Sequence, residues 1–306
     1  MIAPPALNQG DVIGIAAPSS GFDRRAFEAG VAWLRAQGFE VRYREDIHER
    51  YHYLAGSRAR REAELQEMLD SPDLAAILFA RGGFGLMHLL GRVRLDGLVS
   101  RPRVVLGHSD LTPLLNWITQ EAGLITFHGP LVAGLGKTGR RSLDQMIGLL
   151  SQPGRIPDPL VSSGGPQVRL RGGRAAGRLC GGNLSLVAAT LGTPFEIDTR
   201  SKLLLLEEVG ERPYRVDRLL AQLHLAGKLQ EAAGLVIGEF KDCREPGGGG
   251  RPILDIVAEY AGEVPGPVVA GFPFGHGEDN LTLPIGARAV LDGDTGKLEL
   301  VQPAVT

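Results

Sequence analysis

Short apolar runs alternate with stretches of helical spacing through the first half of the chain. The runs are rich in Val, Ile and Leu, as expected of strands that are covered on both faces, and the stretches between them repeat apolar residues at helical intervals. Predicted strands are residues 12–17, 39–43, 74–80 and 103–107, and predicted helices are residues 24–37, 57–69 and 111–120. This alternation predicts an α/β fold with a mostly parallel, doubly wound sheet.

The chain changes character after residue 150. Residues 151–173 are rich in Pro, Gly and Ser and carry no sustained apolar period, which is typical of a linker or of a crossing between domains. Strand and helix patterns then resume, with predicted helices at 183–191 and 215–225 and predicted strands at 202–206 and 233–240. The sequence therefore predicts two domains, residues 1–150 and 174–306, joined by the linker 151–173.

The composition limits the partners and the cellular compartment that we expect for this protein. The chain has 306 residues, a formal net charge of −2 and 43% hydrophobic residues, so nothing predicts a nucleic acid or an anionic membrane as partner. No apolar run approaches the roughly 18 residues of a membrane span, and the first residues lack a secretory signal. Cys180 and Cys243 are too few for a disulfide framework. These features predict a cytoplasmic protein whose cysteines are small buried hydrophobes.

Three groups that can form a nucleophile–base relay occur in the order Ser, Glu, His. Ser109 and the pair Glu207-Glu208 each follow an apolar run, and His276 lies between two glycines. The ends of strands are where α/β folds place their chemistry, and the α/β-hydrolases use the same chain order. The trio therefore predicts a serine hydrolase, although such triads are defined by geometry and not by sequence position.

The serine has a competing structural interpretation. A strand followed by a sharp turn and a helix exposes a nucleophile and offers backbone N–H groups to an oxyanion. Leu111, however, stands where the Gly-x-Ser-x-Gly elbow has its last glycine. Ser109 or Asp110 could instead cap the helix that follows. The sequence leaves both interpretations open.

The histidine and the glutamates have alternatives of their own. His276 lies in a loop rich in Pro and Gly, and its reference pKa of about 6.5 suits a general base; an ordinary loop histidine is the alternative. His108 is the weaker base candidate, because its side chain should point away from the adjacent Ser109. Only one of Glu207 and Glu208 can face a given site, since side chains alternate along a strand, and both could be solvated.

Two further motifs bear on ligands. The run RGGFG at residues 81–85 follows a predicted strand at the same sheet edge as Ser109. It predicts a loop whose backbone N–H groups bind an oxyanion or carboxylate, a cradle for the ligand. It lacks the spacing of a dinucleotide-binding motif. The alternative interpretation is a tight turn with no functional role. Residues 48–52 match the zinc motif His-Glu-x-x-His, but no amphipathic period contains them. We interpret that match as chance and predict no metal site.

Taken with other segments, these motifs resemble the LD-carboxypeptidases, the muramoyltetrapeptide carboxypeptidase family of serine peptidases. The matching segments follow the family order through nearly the whole chain: GD at 10–11, APS at 17–19, YLAG at 53–56, RGGFG at 81–85, GHSD at 107–110, FHGP at 127–130, GGNLS at 181–185, LEEVGE at 206–211, PYR at 213–215, GFPFGH at 271–276, and TLP at 282–284 with a glycine at 286. Together they are far more specific than any one of them.

The resemblance implies a role for each candidate residue. Ser109 is the implied nucleophile, His276 the general base and acid, and Glu207 the residue that orients His276. The backbone N–H groups of Asp110 and Gly83 are implied to hold the oxyanion. The implied chemistry needs no cofactor.

The cradle supplies the implied substrate-binding residues, Arg81, Gly82 and Phe84. Phe84 stands where the family commonly has tyrosine, which removes any contact made through a hydroxyl. Glu208 stands where the family often has aspartate, and this departure leaves Glu207 in register.

The resemblance also implies a substrate and an assembly. The substrate is the murein tetrapeptide, which loses its terminal D-alanine during cytoplasmic recycling of the cell wall. The protein is implied to be a homodimer, with a Rossmann-like N-terminal domain that carries the serine and a smaller, β-rich C-terminal domain that carries the glutamate and histidine. Two alternatives stay open: a peptidase like the microcin immunity peptidases, which cut peptidyl or aminoacyl nucleotides, and a non-catalytic ligand-binding protein of the same fold.

Overall fold

The computed structural model describes residues 1–157, 160–161 and 168–306. Its strands are β1 (Val12–Ala16), β2 (Glu40–Arg42), β3 (Ala76–Phe79), β4 (Val104–Gly107), β5 (Thr126–His128), β6 (Val168–Arg171), β7 (Arg174–Asn183), β8 (Lys202–Val209), β9 (Gly234–Lys241), β10 (Val268–Ala270), β11 (Leu283–Ile285), β12 (Arg288–Asp292) and β13 (Lys297–Leu300). Its α-helices are α1 (Arg24–Ala36), α2 (Arg58–Asp70), α3 (Asp96–Ser100), α4 (Thr112–Ala122), α5 (Arg140–Ser151), α6 (Leu184–Ala189), α7 (Pro213–Leu225), α8 (Lys228–Glu231) and α9 (Ile253–Tyr260).

The first half forms a mostly parallel sheet. β1 pairs in parallel with β2 and β3, and β3, β4 and β5 continue the parallel pairing. The resulting strand order, 2-1-3-4-5, is that of a doubly wound sheet, so the predicted α/β class is confirmed. The order reverses between β1 and β3, and the carboxyl ends of strands at such a reversal open the crevice in which these sheets bind ligands.

A second, seven-stranded sheet makes the C-terminal half β-rich, as the resemblance implies. Its strand order is β13-β12-β7-β8-β9-β10-β6. The strands β7 to β10 are parallel neighbours, while the outer pairings are antiparallel. On one face of β8, Leu204 and Leu206 pack in a buried cluster with Val216 and Leu220 of α7. The alternate residues Leu203 and Leu205 belong to the core shared with the first sheet.

The chain crosses between the two sheets near its end. β11 pairs antiparallel with β5 and so completes the first sheet, although it follows the strands of the second. The predicted linker, 151–173, contains β6, which pairs with β10. Residues 158–159 and 162–167 of that linker lie outside the described residues. The boundaries 1–150 and 174–306 stay a prediction.

Two observations concern membrane-spanning helices and the state of the cysteines. Within the described ranges, no helix combines the length and the apolar character that crossing a membrane requires. Cys180 and Cys243 are buried and form no disulfide. Burial raises the pKa of the Cys180 thiol to about 12, which leaves it protonated and unreactive near neutral pH.

Candidate active site

Ser109 lies in a strained turn between β4 and α4. β4 ends at Gly107, and a short 3-10 helix, Ser109–Leu111, leads into α4. The φ angle of Ser109 is 62°, in the left-handed region that a residue with a side chain seldom adopts. Such strain gathers at functional sites, and a sharp strand–turn–helix connection presents a serine hydroxyl at the top of a sheet.

The glycine-rich turn after β3 packs directly against this serine. A Cβ placed on Gly82 would lie 2.8 Å from Ser109 Cβ, 2.9 Å from its Oγ and 3.4 Å from the backbone N of Asp110. Gly83, with a φ of +97°, approaches Ser20 equally closely, and the Phe84 N–H donates to Ser20 Oγ at 3.0 Å. Only glycines allow three loops to meet this closely.

Two buried polar side chains, Arg61 and Asp110, hold the same turn in place through hydrogen bonds to its backbone. The Arg61 guanidinium is fully buried and donates from Nη1 to the carbonyls of Pro18 (2.6 Å) and Gly85 (2.8 Å). The Asp110 carboxylate accepts the Leu86 N–H at 2.9 Å. Burial raises the pKa of Asp110 and the nearby Arg61 charge opposes that rise. The side chain of Asp110 is therefore structural, and its backbone N is the atom that lies close to Gly82.

His276 and Glu207 form the central hydrogen bond of the site. His276 Nδ1 and Glu207 Oε2 are 2.6 Å apart, and the Glu207 side chain is fully buried. Burial lowers the pKa of His276, but hydrogen bonding to Glu207 and the charges of Glu207, Glu208 and Glu239 reverse this, and the net pKa is raised. Burial also raises the pKa of Glu207, against the lowering effect of His276. The pair can stabilise an imidazolium, with the Glu207 carboxylate fully buried and His276 partly open to the surface.

Glu208, the other member of the acidic pair, has a different environment. Its Oε1 accepts from Asn183 Nδ2 and from its neighbour Val209, both at 2.9 Å, and its Oε2 accepts the Ser185 N–H at 2.8 Å. These bonds tie β8 to the start of α6. Of the two glutamates, the structure thus brings Glu207 to the histidine, and it leaves neither of them solvated.

Glycines on both sides of His276 let its loop approach the second sheet. A Cβ on Gly275, whose φ is +124°, would lie 2.8 Å from Glu207 Oε2, and one on Gly277 would overlap the carboxylate of Glu239. The Gly275 N–H donates to Asn280 Oδ1 at 3.1 Å and closes the loop on itself. The glycine frame seen in the sequence therefore exists because two carboxylates contact the backbone.

The two halves of the site are connected by hydrogen bonds between α4 and β7. Asn116 exchanges two bonds with the backbone of Gly181, at 2.8 and 2.9 Å, and the Asn183 N–H donates to Thr112 Oγ1 at 3.1 Å. Asn183 is in turn the register partner of Glu207. This chain of contacts fixes the helix that follows Ser109 relative to the strand that carries Glu207.

Two further histidines lie beside His276. The rings of His108 and His276 meet edge to face with centroids 4.9 Å apart, and His108 packs against His128 at 5.6 Å. His108 Nδ1 lies 2.9 Å from the Gly129 carbonyl. Burial lowers the pKa of His108 well below its usual value and that of His128 to about 3. Both rings are neutral near pH 7, and His276 is the member of the cluster able to gain a proton there.

A cavity of about 530 Å³ opens on the exposed side of His276. Its lining contains charged, polar and small apolar side chains from both halves of the chain: Phe22, Asp23, Ala26, Ala80, Arg81, His108, Pro130, Leu131, Ala133, Gly134, Lys137, Thr138, Gly275, His276, Gly277 and Asn280. It lies at the crevice that the strand order predicts for a ligand, because loops after β1, β3, β4 and β5 all reach it.

The structure places the sequence-derived candidates as follows. Ser109, Gly82 and the Asp110 backbone are in contact, Glu207 and His276 are hydrogen-bonded, and Arg81 lines the cavity. In the described part of the chain, Ser109 and His276 share no hydrogen bond. Phe84 is 43% exposed and packs on His88 outside the cavity lining.

Sequence reasoning missed Lys137, Asn280 and Glu239. Lys137 ends a 3-10 helix, Val132–Lys137, in a segment without any recognisable motif. Asn280 closes the histidine loop, and its position near the glycines that frame the histidine was the available signal. Glu239 is brought to the site by the register of β9, which local sequence does not reveal.

The residues of the zinc-like motif do not share a helical face. His48 ends a 3-10 helix, Glu45–His48, and His52 follows in a turn with a φ of 55°. Within the described ranges, no group of three or more His, Cys, Asp or Glu side chains is arranged to hold a metal ion.

Comparison with known proteins gives a consistent picture. Models of the LD-carboxypeptidase N-terminal and C-terminal domains match residues 13–129 and 176–291. The probable murein peptide carboxypeptidase of Bacillus subtilis is 36% identical over 296 residues, which cover 94% of this chain and 91% of that protein. The murein tetrapeptide carboxypeptidase of Pseudomonas aeruginosa is 30% identical over 297 residues, with 92% and 93% covered.

Among solved structures, MccF in complex with glutamyl sulfamoyl guanosine has the same fold. Its TM-score is 0.88 at 23% identity, and the likeness covers 100% of both chains. The two domain matches, and the identity to relatives over almost their whole length, place this chain in the LD-carboxypeptidase family of peptidases.

Proposed function

We propose that this chain is a serine-type LD-carboxypeptidase that removes the terminal D-alanine of murein tetrapeptides. The observation that carries the proposal is the 2.6 Å hydrogen bond between His276 Nδ1 and Glu207 Oε2, placed at a cavity beside the strained turn of Ser109. A base held in one tautomer by a buried carboxylate, near a partly exposed serine, is the arrangement that activates a hydroxyl.

The first half-reaction forms an acyl-enzyme. Ser109 Oγ attacks the carbonyl carbon that precedes D-alanine, and His276 Nε2 takes the hydroxyl proton. Glu207 stabilises the imidazolium, and His276 then gives the proton to the D-alanine nitrogen as the C–N bond breaks. Catalytic hydrogen bonds commonly tighten only in the substrate complex, so we expect Ser109 to turn toward His276 when the peptide binds.

The negative charge that develops on the carbonyl oxygen needs donors. The N–H of Asp110 lies at the start of the helical segment after Ser109, and the N–H of Gly83 lies in the turn that packs against Ser20. We assign the oxyanion to these two groups, since backbone N–H groups held in a closely packed turn can stabilise a developing charge. Gly82 serves by allowing Ser109 to approach, and Arg81 and Phe84 stay proposed substrate contacts.

The second half-reaction regenerates the enzyme. Water enters where D-alanine left, His276 takes a proton from it, and the hydroxide attacks the acyl carbon. His276 then returns the proton to Ser109 as the ester bond breaks. All proton transfers use one imidazole, which alternates between base and acid.

The names of two relatives support the substrate class, since both are carboxypeptidases of murein peptides. We propose the bond between the L centre of the diamino acid and D-alanine as the one cut, in the cytoplasmic recycling of peptidoglycan. We also propose that the enzyme works as a homodimer. These assignments rest on the family, beyond what the site geometry carries.

The test is D-alanine release from L-Ala-γ-D-Glu-meso-diaminopimelate-D-Ala. We expect release by the wild type and a loss of at least about 10³-fold in Ser109→Ala, with an unchanged thermal melt. Ser100→Ala is the matched control, because Ser100 is an exposed serine at the end of α3. Equal release by wild type and Ser109→Ala would remove Ser109 as nucleophile.

The same assay should include an aminoacyl-nucleotide conjugate, because the fold is shared with MccF. We expect the wild type to prefer the tetrapeptide. Hydrolysis of the conjugate alone would overturn the murein assignment and retain the serine mechanism.

A further inference from the structure

We propose that Lys137 and Arg81 form a subsite that binds the C-terminal carboxylate of the peptide. The inference deepens the proposed function and rests on it, because it concerns the side of the scissile bond from which the leaving amino acid departs. It identifies the feature by which the cavity selects the end of a peptide over its interior.

The cavity contains two cations that the protein does not neutralise. Lys137 is exposed at the end of its 3-10 helix, and in the described part of the chain its ammonium forms neither a hydrogen bond nor an ion pair. Arg81 donates from Nη1 to the Gly21 carbonyl at 2.6 Å, which anchors the guanidinium. No carboxylate of the described residues lies within ion-pair distance of either side chain. A bound anion would be their partner.

Two acidic residues near the cavity are engaged in hydrogen bonds, and a third, Glu239, lies against Gly277 outside the lining. Asp23 is the acidic residue that lines it in the described ranges, and its Oδ1 caps α1 by accepting the Ala26 N–H at 2.8 Å. Glu207 is buried against His276. Among the described residues, the lining therefore has two cations, Arg81 and Lys137, against the one carboxylate of Asp23, and this balance favours an anionic ligand.

The chemistry of bond cleavage sets where that anion must lie. His276 protonates the leaving amine, so the leaving amino acid occupies the space in front of His276. In an α-amino acid a single carbon separates the amine from the carboxylate. The carboxylate of the leaving residue must therefore lie in the same cavity as His276, together with Lys137 and Arg81.

The small residues of the cavity fit the rest of the leaving group. Ala26, Ala80 and Ala133 supply methyl surface to the lining that also contains Lys137 and Arg81. A methyl side chain such as that of D-alanine fits among them, whereas a longer peptide would have to carry its next residue past Lys137. An internal peptide bond would also bring no charge to offset the two cations.

The experiment compares a carboxylate with its neutral amide. The tetrapeptide ending in D-alanine and the same peptide ending in D-alaninamide are titrated against Ser109→Ala by calorimetry, with and without Lys137→Gln, and the same pair is assayed for hydrolysis by proteins that retain Ser109. We expect Lys137→Gln to weaken binding of the carboxylate form by roughly tenfold or more and to leave the amide form within about twofold. In the hydrolysis assay, Lys137→Gln should lower kcat/KM for the carboxylate form and leave kcat/KM for the amide form nearly unchanged.

Lys297→Gln is the matched control, since Lys297 is an exposed lysine on β13 outside the cavity. This control variant should change neither the binding nor the hydrolysis of either peptide. Equal losses for both peptides, or no loss for either, would overturn the subsite. Selective binding without any hydrolysis by the wild type would support the subsite and overturn the proposed function, so the two failures are distinct. Binding of neither peptide would overturn the subsite as well.

Discussion

His276 and Glu207 share a hydrogen bond of 2.6 Å between Nδ1 and Oε2, although 69 residues separate them in the chain. The bond leaves His276 Nε2 as the nitrogen available to a substrate. It also couples the proton affinity of the imidazole to a carboxylate that solvent does not reach. The pH dependence of the enzyme should therefore report on this pair.

Glu207→Gln should shift the acid limb of the pH profile to lower pH. The working base is neutral His276, so wild-type kcat/KM should rise with pH through a pKa above 6.5, the ordinary value. The variant keeps the burial that lowers this pKa and loses the carboxylate that raises it. We also expect kcat to fall by roughly 10³ to 10⁴-fold, because the imidazolium loses its partner. Profiles of D-alanine release from pH 5 to 9 would measure both effects.

Glu239→Gln is the control for this shift. Glu239 contributes to the raised pKa of His276 through its charge alone and ranks behind Glu207. Its variant should move the acid limb in the same direction by a smaller amount and retain most of kcat. A Glu207→Gln profile that coincides with the wild type would contradict a role for His276 as the titrating base.

Gly82→Ala should impair the chemistry without unfolding the protein. The new Cβ would lie 2.8 Å from Ser109 Cβ and 2.9 Å from its Oγ, so the serine must move. A displacement of this kind can lower kcat by about 100-fold, whereas overpacking costs about 1–3 kcal/mol of stability. Steady-state kinetics and a urea titration would give the two numbers.

Gly262→Ala gives the matched comparison for that substitution. Gly262 has no atom within 4 Å of its Cβ position and no positive φ, and it lies on an exposed 3-10 helix. This variant should keep wild-type kinetics. Full activity in Gly82→Ala would mean that Ser109 does not depend on the turn after β3.

The local parts of this site could be predicted from sequence, and the long-range parts could not. The turn at Ser109 follows from contiguous residues, an apolar strand and then a helix. The choice between Glu207 and Glu208 depends instead on tertiary contacts, since Glu208 is held by Asn183 and Ser185 while Glu207 meets the histidine loop.

Tertiary contacts also account for the places where the fold differs from the sequence prediction, at β6 and β11. β6 alternates apolar and polar residues, a usable strand signal, but the Pro- and Gly-rich composition around it favoured a linker. β11 joins the first sheet because β5 offers it an edge, and no local pattern encodes that partner. Lys137 was missed for a related reason, since only the fold brings it to the cavity of His276.

Ser109→Gly should be more stable than Ser109→Ala by roughly 1 kcal/mol. The φ of 62° strains any residue with a Cβ and costs glycine little. Both variants should be inactive, so the comparison isolates backbone strain from loss of the hydroxyl. Urea unfolding of the two proteins side by side would measure the difference. Equal stabilities would show that the turn stores no strain at this residue.

His128 should make the protein sensitive to acid. Both of its ring nitrogens are buried without a hydrogen-bond partner in the described part of the chain, and its pKa in the fold is lowered to about 3. In the unfolded chain this residue has a pKa of about 6.5. Between roughly pH 3 and pH 6.5, the unfolded state therefore holds more protons than the folded state. Stability therefore falls as the pH falls through that window, by about 1.4 kcal/mol per pH unit for this one group.

His128→Leu tests this prediction through the slope of the free energy of unfolding against pH, and not through the absolute stability. The free energy of unfolding, measured by urea titration from pH 4.5 to 7.5, should fall less steeply toward acid than in the wild type, by about 1.4 kcal/mol per pH unit below pH 6. Phe274→Leu removes a ring that packs on His128 but no titrating group, and it should shift stability at every pH with the slope retained. An unchanged slope in His128→Leu would mean that His128 gains its proton in the folded protein and that the interior of the histidine cluster admits water.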